Sequence, residues 1–223
     1  MKNFGWIILL LGAGLMLYSL EYYFDFFQLF DKEEIAFSDL FFRKDIDFWM
    51  VKKDKVHDPI WSGALYIHIL GSLLPILIGP FQFFYAFRKK FMKTHRLLGK
   101  IYVFSILALG VPTGYYMACF ANGGIWAIIA FLILSTLWLI TTYLAYQKVK
   151  NRDIRGHEAW MKRSYAITFA AVTLRLWTDI LPNDFGISHG LTIVLSAWLA
   201  WIPNLIIAEM LIRLPQIKAF WKQ

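Results

Sequence analysis

Six apolar stretches, each about as long as a membrane-spanning helix, fill most of this 223-residue chain. Hydrophobic residues make up 59% of it and charged residues 17%, whereas a soluble domain is roughly half apolar and a quarter charged. The sequence therefore predicts an all-α integral membrane bundle of six transmembrane helices. The predicted spans are 4–21, 62–87, 97–120, 124–147, 163–181 and 191–213.

The basic residues predict how this bundle is oriented. Sixteen Lys and Arg side chains fall at the N-terminus, between spans two and three, between spans four and five, and after span six. Cytoplasmic loops carry such an excess, so both termini are predicted to be cytoplasmic. Residues 21–61, on the other side, hold ten acids against six bases. Because the charges flank the spans, the net charge of +8 indicates contact with the lipid bilayer and not with nucleic acid.

The chain is predicted to form one membrane domain without internal repeats. Its parts are a first span (1–21), an extracytoplasmic loop (22–61), a five-helix core (62–213) and a cytoplasmic tail (214–223). The single cysteine, Cys119, excludes a disulfide within the chain.

Aromatic residues recur in the outer loop at near-helical spacing between charged residues. They are Phe37, Phe41, Phe42, Phe48 and Trp49. Such a pattern is typical of a short amphipathic helix that lies in the membrane interface, so the loop is predicted to be partly helical. Aromatic side chains that line the rim of the bundle would give the same pattern.

Glycine and proline residues predict where helices approach or bend. Gly110 and Gly114 form a small-residue notch in span three, and Gly71 and Gly79 thin one side of span two. Small residues let helix backbones come close in membranes. Pro203 is expected to bend span six and to free a main-chain carbonyl, because proline has no N–H to donate.

Four histidines near span ends are candidates for a cofactor site. His95 opens span three and His157 precedes span five at the predicted cytoplasmic edge, whereas His68 and His189 lie toward the outer side. Imidazole is the usual axial ligand of haem, and helical bundles hold cofactors between side chains on facing helices. We therefore predict that His95 and His157 are the metal ligands of haem b, with His68 and His189 as a second, outer pair. Histidines bonded to headgroups or loops are the alternative.

Residues near His95 also fit a haem. Gly99 lies one helical turn after His95 on nearly the same face, where a missing side chain leaves room for a flat macrocycle. Arg96, Lys100 and Arg163 are close enough in the predicted bundle to neutralise the propionates.

Arg175 lies within span five, toward its outer half. A guanidinium in hydrocarbon must pair, reach the interface or face a polar cavity. Asp179, four residues later, is one partner; a haem propionate, a quinone carbonyl or a lipid phosphate is the alternative. His157 and Arg175 are 18 residues apart, which would place them on one face of a continuous helix.

Other polar residues lie in the inner halves of the spans. Gln82 ends span two, and Asn204 and Glu209 belong to span six. Glu209 is predicted to pair with Arg163 or Arg213. Buried together, such groups could also form a proton path.

Several motifs point to a family. THRLLGKIYV, HEAWMKRSYAITFAAVTLRLW, WLAWIPNLIIAE and GPFQF, together with His68, resemble the domain-of-unknown-function 2306 family of predicted bacterial membrane proteins over residues 60–213. This resemblance implies the bacterial cytoplasmic (inner) membrane and no established activity. The motif His-x-x-Leu-Gly at His95 is similar, more distantly, to the ascorbate-reducible transmembrane cytochrome b family, which holds two haems between histidine pairs. Span four lacks histidine, so at least one such pair is missing or rebuilt here.

These observations favour a membrane redox protein that binds haem b and passes electrons to or from quinone or a periplasmic partner. Arg175 would then hold a propionate or a quinone oxygen. A second hypothesis is a transporter whose small-molecule path is lined by His68, Gln82, Arg175 and Asn204. A third is a non-catalytic membrane scaffold in which the polar residues serve only packing. The absorption spectrum of the purified protein distinguishes the first hypothesis from the others.

Overall fold

A computed structural model describes residue 55 and residues 58–220, without the side chains of residues 189 and 215–220. Within this part every regular element is helical and there is no strand, which confirms the all-α class. The chain divides into two compact units, 1–66 and 67–223, and every contact given below lies within the second. The predicted first span, and all but a few residues of the predicted amphipathic loop, lie outside the described residues.

The helices of the described part follow one another through short connections. One short π-helical segment, Ser105–Gly110, lies between two of them without a break. They are α1 (Pro59–Phe83), α2 (Tyr85–Lys90), α3 (Met92–Phe104), α4 (Val111–Ala118), α5 (Gly124–Lys150), α6 (Ile154–Thr168), α7 (Ala170–Phe185), α8 (His189–Leu199) and α9 (Ile202–Phe220).

Four helical stretches in the described residues are long and apolar enough to cross a membrane. They are Pro59–Phe83, Met92–Ala118, Gly124–Lys150 and Gly190–Leu214, and they match predicted spans two, three, four and six. The predicted fifth span, 163–181, is not a single helix, because α6 and α7 meet at Phe169.

Main-chain hydrogen bonds continue across the junction at Phe169. Phe169 N donates to Tyr165 O at 2.8 Å, and Thr173 N donates to Phe169 O at 3.2 Å. The hydroxyls of Thr168 and Thr173 also donate to carbonyls one turn earlier on their own helices, a contact that often bends helices. Helical hydrogen bonds thus run from His157 to Arg175, but Phe169 interrupts the regular helix that the sequence predicted.

Glycines bring α1 against its neighbours, as predicted. A β-carbon at Gly71 would lie 2.6 Å from the main-chain nitrogen of Gly110, so the two backbones are in direct contact. The ring of Tyr165 packs against Gly79 in the space of the missing side chain. Because backbones cannot rotate away as side chains can, the contact at Gly71 fixes where α1 crosses the π-helical segment.

The break between α8 and α9 lies just before Pro203, as the sequence predicted. The carbonyl oxygen of Ala200, at this break, accepts hydrogen bonds from Asn204 Nδ2 at 2.8 Å and from the hydroxyl of Thr173. Asn204 also donates to Ala166 O at 3.2 Å. These side chains satisfy main-chain oxygen at the bend, which is what makes irregular backbone tolerable inside a membrane bundle.

Five buried, uncharged side chains form a hydrogen-bond network between α3, α5 and α6. Tyr102 OH lies 3.0 Å from Ser164 Oγ and 3.1 Å from Thr168 Oγ1. Trp138 donates from Nε1 to Thr168 Oγ1 at 2.9 Å, and Thr142 Oγ1 lies 2.7 Å from Ser164 Oγ. Because the polar groups bond one another away from solvent, the network holds these three helices in register.

The turn between α5 and α6 places the start of α6 against the end of α5. Asp153 N donates to Lys148 O at 2.9 Å across Arg152, whose φ of +62° puts it in the left-handed region. The Asp153 carboxylate caps α6 by accepting from Gly156 N–H at 2.8 Å. This hydrogen bond, together with the nearby Lys148, lowers the pKa of Asp153.

Replacing Arg152 with glycine should stabilise this turn. We expect Arg152→Gly to raise the free energy of unfolding by roughly 0.5 kcal/mol, because glycine adopts positive φ without steric cost. Arg155→Gly removes the same charge from within α6 and should instead lower it by roughly 0.5–1 kcal/mol. Detergent-denaturant unfolding followed by circular dichroism measures both; equal losses would contradict the role given to Arg152.

Candidate functional site

Polar residues from four helices meet at the basic end of the bundle, where α1 ends and α3 and α6 begin. α1 contributes a glutamine, α2 an arginine, α3 a histidine and a glycine, and α6 a second histidine. We call this group the basic-end cluster. Its members are Gln82, Arg88, His95, Gly99 and His157.

His157 is held by a main-chain carbonyl of α5. Its Nδ1 lies 2.9 Å from Ala145 O. Because a carbonyl oxygen can only accept, Nδ1 must carry the proton, and in the neutral ring the lone pair then lies on Nε2. Metal-ligating histidines are commonly oriented in this way, with the other ring nitrogen bonded to a carbonyl or carboxylate.

His95 lies within electrostatic range of His157. The charges of Arg88 and Arg96 also act on His95. His95 Nδ1 is buried and has no hydrogen-bond partner among the described residues. His95 and His157 are therefore within electrostatic range of each other, and their pairing as ligands stays a prediction.

Gly99 faces Gln82 across the contact between α3 and α1. A β-carbon at Gly99 would lie 3.7 Å from Gln82 Oε1, and the described part of the chain places nothing else within 4 Å of it apart from local backbone. Gln82 itself is only 5% exposed, and its Nε2 has no partner within the described part. The open space predicted beside Gly99 is thus present, with a buried amide at its edge.

Arg88 and Glu158 form an ion pair that joins α2 to α6. Arg88 NH1 lies 2.6 Å from Glu158 Oε1, while the Arg88 Nε is buried and unpartnered among residues 58–220. Neither this ion pair nor the position of Gln82 near the helix of His95 was predicted from the sequence. The available signal was position: Glu158 directly follows His157, and Arg88 follows the end of α1 by a few residues.

Arg163 does not join the basic-end cluster. Its guanidinium pairs with Glu209 on α9, with Arg163 NH2 lying 3.1 Å from Glu209 Oε2, and it lies over the ring of Trp160 at 4.6 Å. Glu209 also lies 3.5 Å from Arg213. The predicted pairing of Glu209 is confirmed. Arg163 was predicted to neutralise a haem propionate, but in the structure it pairs with the Glu209 carboxylate.

His68 lies in a second group, against the π-helical segment. Its Nδ1 lies 3.1 Å from Gly110 O and 3.2 Å from Thr113 Oγ1, and its ring meets that of Trp138 edge to face. A β-carbon at Gly114 would lie 3.3 Å from the His68 ring. The His68 side chain on α1 therefore packs against α4 and α5. It also contacts the Gly110 carbonyl of the π-helical segment.

Arg175 belongs with His68 and not with His157. Its charge acts on His68, and its NH1 donates to Ala171 O at 2.6 Å. Asp179, the predicted partner, accepts a hydrogen bond from Asn183 at 2.8 Å. The His189 side chain lies outside the described part, so the outer pair of His68 and His189 stays a prediction.

The chemistry of the basic-end cluster follows from its donors. Within the described residues, no three His, Cys, Asp or Glu side chains are placed to hold a metal ion. Two neighbouring imidazoles do not suffice for a metal ion alone, but they suffice for a metal whose other ligands come from a macrocycle. The cluster is otherwise rich in hydrogen-bond donors and positive charge, which suits anionic oxygen.

The comparisons with known proteins agree with the motifs. A family model described as "Predicted membrane protein (DUF2306)" matches residues 65–212. No curated protein and no solved structure gives a significant match to the chain. The more distant likeness to the ascorbate-reducible cytochrome b family stays a prediction. Because the matched region covers more than half of the chain, the protein belongs to the DUF2306 family of predicted membrane proteins.

Proposed function

We propose that this membrane protein binds b-type haem between His95 and His157 and serves electron transfer. The observation that carries the proposal is the pair itself: two imidazoles on different helices lie within electrostatic range of each other, and the Nδ1 of His157 is bonded to Ala145 O. That bond leaves the Nε2 of His157 to bind a metal. Bound haem would supply one-electron chemistry toward quinone or a periplasmic partner.

The residues around the pair fit the group. Gly99 leaves space on the face of His95, where a side chain would otherwise stand. Arg96, whose charge already acts on His95, and Lys100, on the same helix, are positioned to neutralise propionates. The buried network of Tyr102, Ser164 and their partners keeps α3 and α6 in fixed register, so the two imidazoles stay together.

We also propose that the protein crosses the bacterial cytoplasmic membrane six times, with both termini inside. Four spans are helical stretches of 25 or 27 residues that are apolar enough to cross a membrane. α6 and α7 would serve together as the fifth, because helical hydrogen bonds run through Phe169 and satisfy the backbone there. Residues 4–21 would be the first span, which brings the total to six. Cysteine accessibility at introduced sites in the terminal segments tests this topology.

The absorption spectrum tests the haem directly. The protein purified from haem-replete cells should show a Soret band and sharp α and β bands on reduction, because two imidazoles give low-spin haem. His95→Ala and His157→Ala should each lose most of the bound haem. His189→Ala removes an imidazole from the predicted outer pair, so the spectrum of the haem held by His95 and His157 should remain. Retention of the spectrum in both ligand variants would contradict the proposal.

A transport function is the second candidate, and it rests on the group around His68. His68 bonds to the π-helical segment, π-helical turns are often found at functional sites, and the charge of Arg175 acts on the same ring. Of the other residues predicted to line a path, Asn204 satisfies carbonyls at the helix break and Gln82 lies in the basic-end cluster. A colourless protein with an intact fold would favour this candidate.

A further inference from the structure

Three buried hydrogen-bonding groups of the basic-end cluster have no partner within the described part of the chain. They are Gln82 Nε2, Arg88 Nε and His95 Nδ1. Buried donors in native proteins are almost always satisfied, and leaving one unsatisfied is costly. Three such atoms in one cluster therefore point to an acceptor that the described part of the chain does not provide.

Electrostatics and packing link the three groups. The charge of Arg88 acts on His95. The amide oxygen of Gln82 borders Gly99, which lies one helical turn after His95 on the same helix. Gln82 is also 95% buried, so its amide is shielded from solvent.

The chemistry of the donors selects the ligand class. Arg Nε and an amide N–H can only donate, and His95 donates when Nδ1 carries its proton. The surroundings are basic: the neighbours of Arg88 and His95 in sequence include Lys89, Lys90, Lys93 and Arg96. Glu158 is already bonded to Arg88 NH1 and leaves Nε for another acceptor. An anion with several acceptor oxygens fits this set.

We propose that Gln82, Arg88 and His95 bind a phosphate group at the basic end of the bundle. The phosphate belongs to an anionic lipid headgroup or to a soluble phosphate compound, since both present the same oxygens. The proposal does not depend on haem, because a histidine that binds iron through Nε2 still presents Nδ1.

Native mass spectrometry of the full-length, detergent-solubilised protein tests this site, with phosphatidylglycerol as the probe and zwitterionic phosphatidylcholine for comparison. We expect phosphatidylglycerol to bind at least tenfold more tightly. Gln82→Leu, which changes no charge, should weaken that binding about tenfold, since a hydrogen bond to a charged group is lost. Arg88→Gln should weaken it further. Inorganic phosphate that displaces the lipid would identify a soluble ligand, and lipid binding that resists it would identify the headgroup; both results support the site.

Lys89→Gln is the matched control, because it removes the same charge from an adjacent, exposed position. It should leave binding within about twofold of the unaltered protein, as expected for a screened surface charge. Equal losses in Lys89→Gln and Arg88→Gln would overturn the proposal, because they would show surface attraction alone. Unchanged binding in a folded Gln82→Leu protein would overturn it too. If Gln82→Leu does not fold, Gln82→Asn, which keeps the amide group on a shorter side chain, takes its place in the binding measurement.

Discussion

Gly71→Ala should lower the free energy of unfolding by about 3 kcal/mol, the upper end of the range for overpacking. The added β-carbon would lie 2.6 Å from Gly110 N and 2.9 Å from Gly110 Cα, and both are main-chain atoms. Relief therefore requires α1 to move away from the π-helical segment. That movement would also disturb the bond from His68 to Gly110 O. Unfolding in a denaturing detergent, followed by circular dichroism, measures the loss.

Gly190→Ala is the control for this change. Gly190 lies in α8, and a β-carbon there would meet nothing within 4 Å among the described residues. Its substitution should leave stability unchanged or raise it by up to about 1 kcal/mol, because alanine favours helix more than glycine does. If Gly71→Ala behaved like Gly190→Ala, the direct backbone contact between α1 and the π-helical segment would be wrong.

Thr168→Val should lower the free energy of unfolding by about 2 kcal/mol. The change keeps the shape of the side chain but removes the oxygen that accepts from Trp138 Nε1 and bonds to Tyr102 OH. Tyr102 retains Ser164 as a partner, whereas the indole N–H of Trp138 loses its hydrogen bond to Thr168. A buried donor left without an acceptor costs about 1–3 kcal/mol. The same detergent unfolding assay measures the effect.

Thr178→Val makes the same chemical change outside the network. The Thr178 hydroxyl donates to Arg175 O on its own helix. We expect its loss to change stability by less than about 0.5 kcal/mol, as for most substitutions away from shared polar networks. Similar losses at Thr168 and Thr178 would mean that the network adds nothing beyond the local bonds within each helix.

Hydropathy predicted the spans well, because the free energy of moving a helix from water into the membrane depends mainly on the residues of that helix. The four long helices match predicted spans, with ends that shift by up to five residues. The fifth was mispredicted as continuous. A hydropathy window averages over Phe169 and cannot register how Thr168 and Thr173 compete for main-chain carbonyls on either side.

The candidate site was predictable in part for the same reason. Orientation alone places His95 and His157 at one edge of the membrane, and short connections between helices bring them together. The partners Arg88 and Glu158 depend on how α2 lies beside α6, which hydropathy does not specify. His68 and Arg175 were predicted as polar residues of interest, but sequence spacing did not predict that the charge of Arg175 acts on His68.

The haem content of the purified protein tests the account most directly. Pyridine haemochrome analysis of protein from haem-replete cells should give at least one haem b per chain, bound by His95 and His157. His95→Ala and His157→Ala preparations of equal stability should each contain about one haem less per chain. A folded, colourless wild-type protein from the same cells would contradict the account.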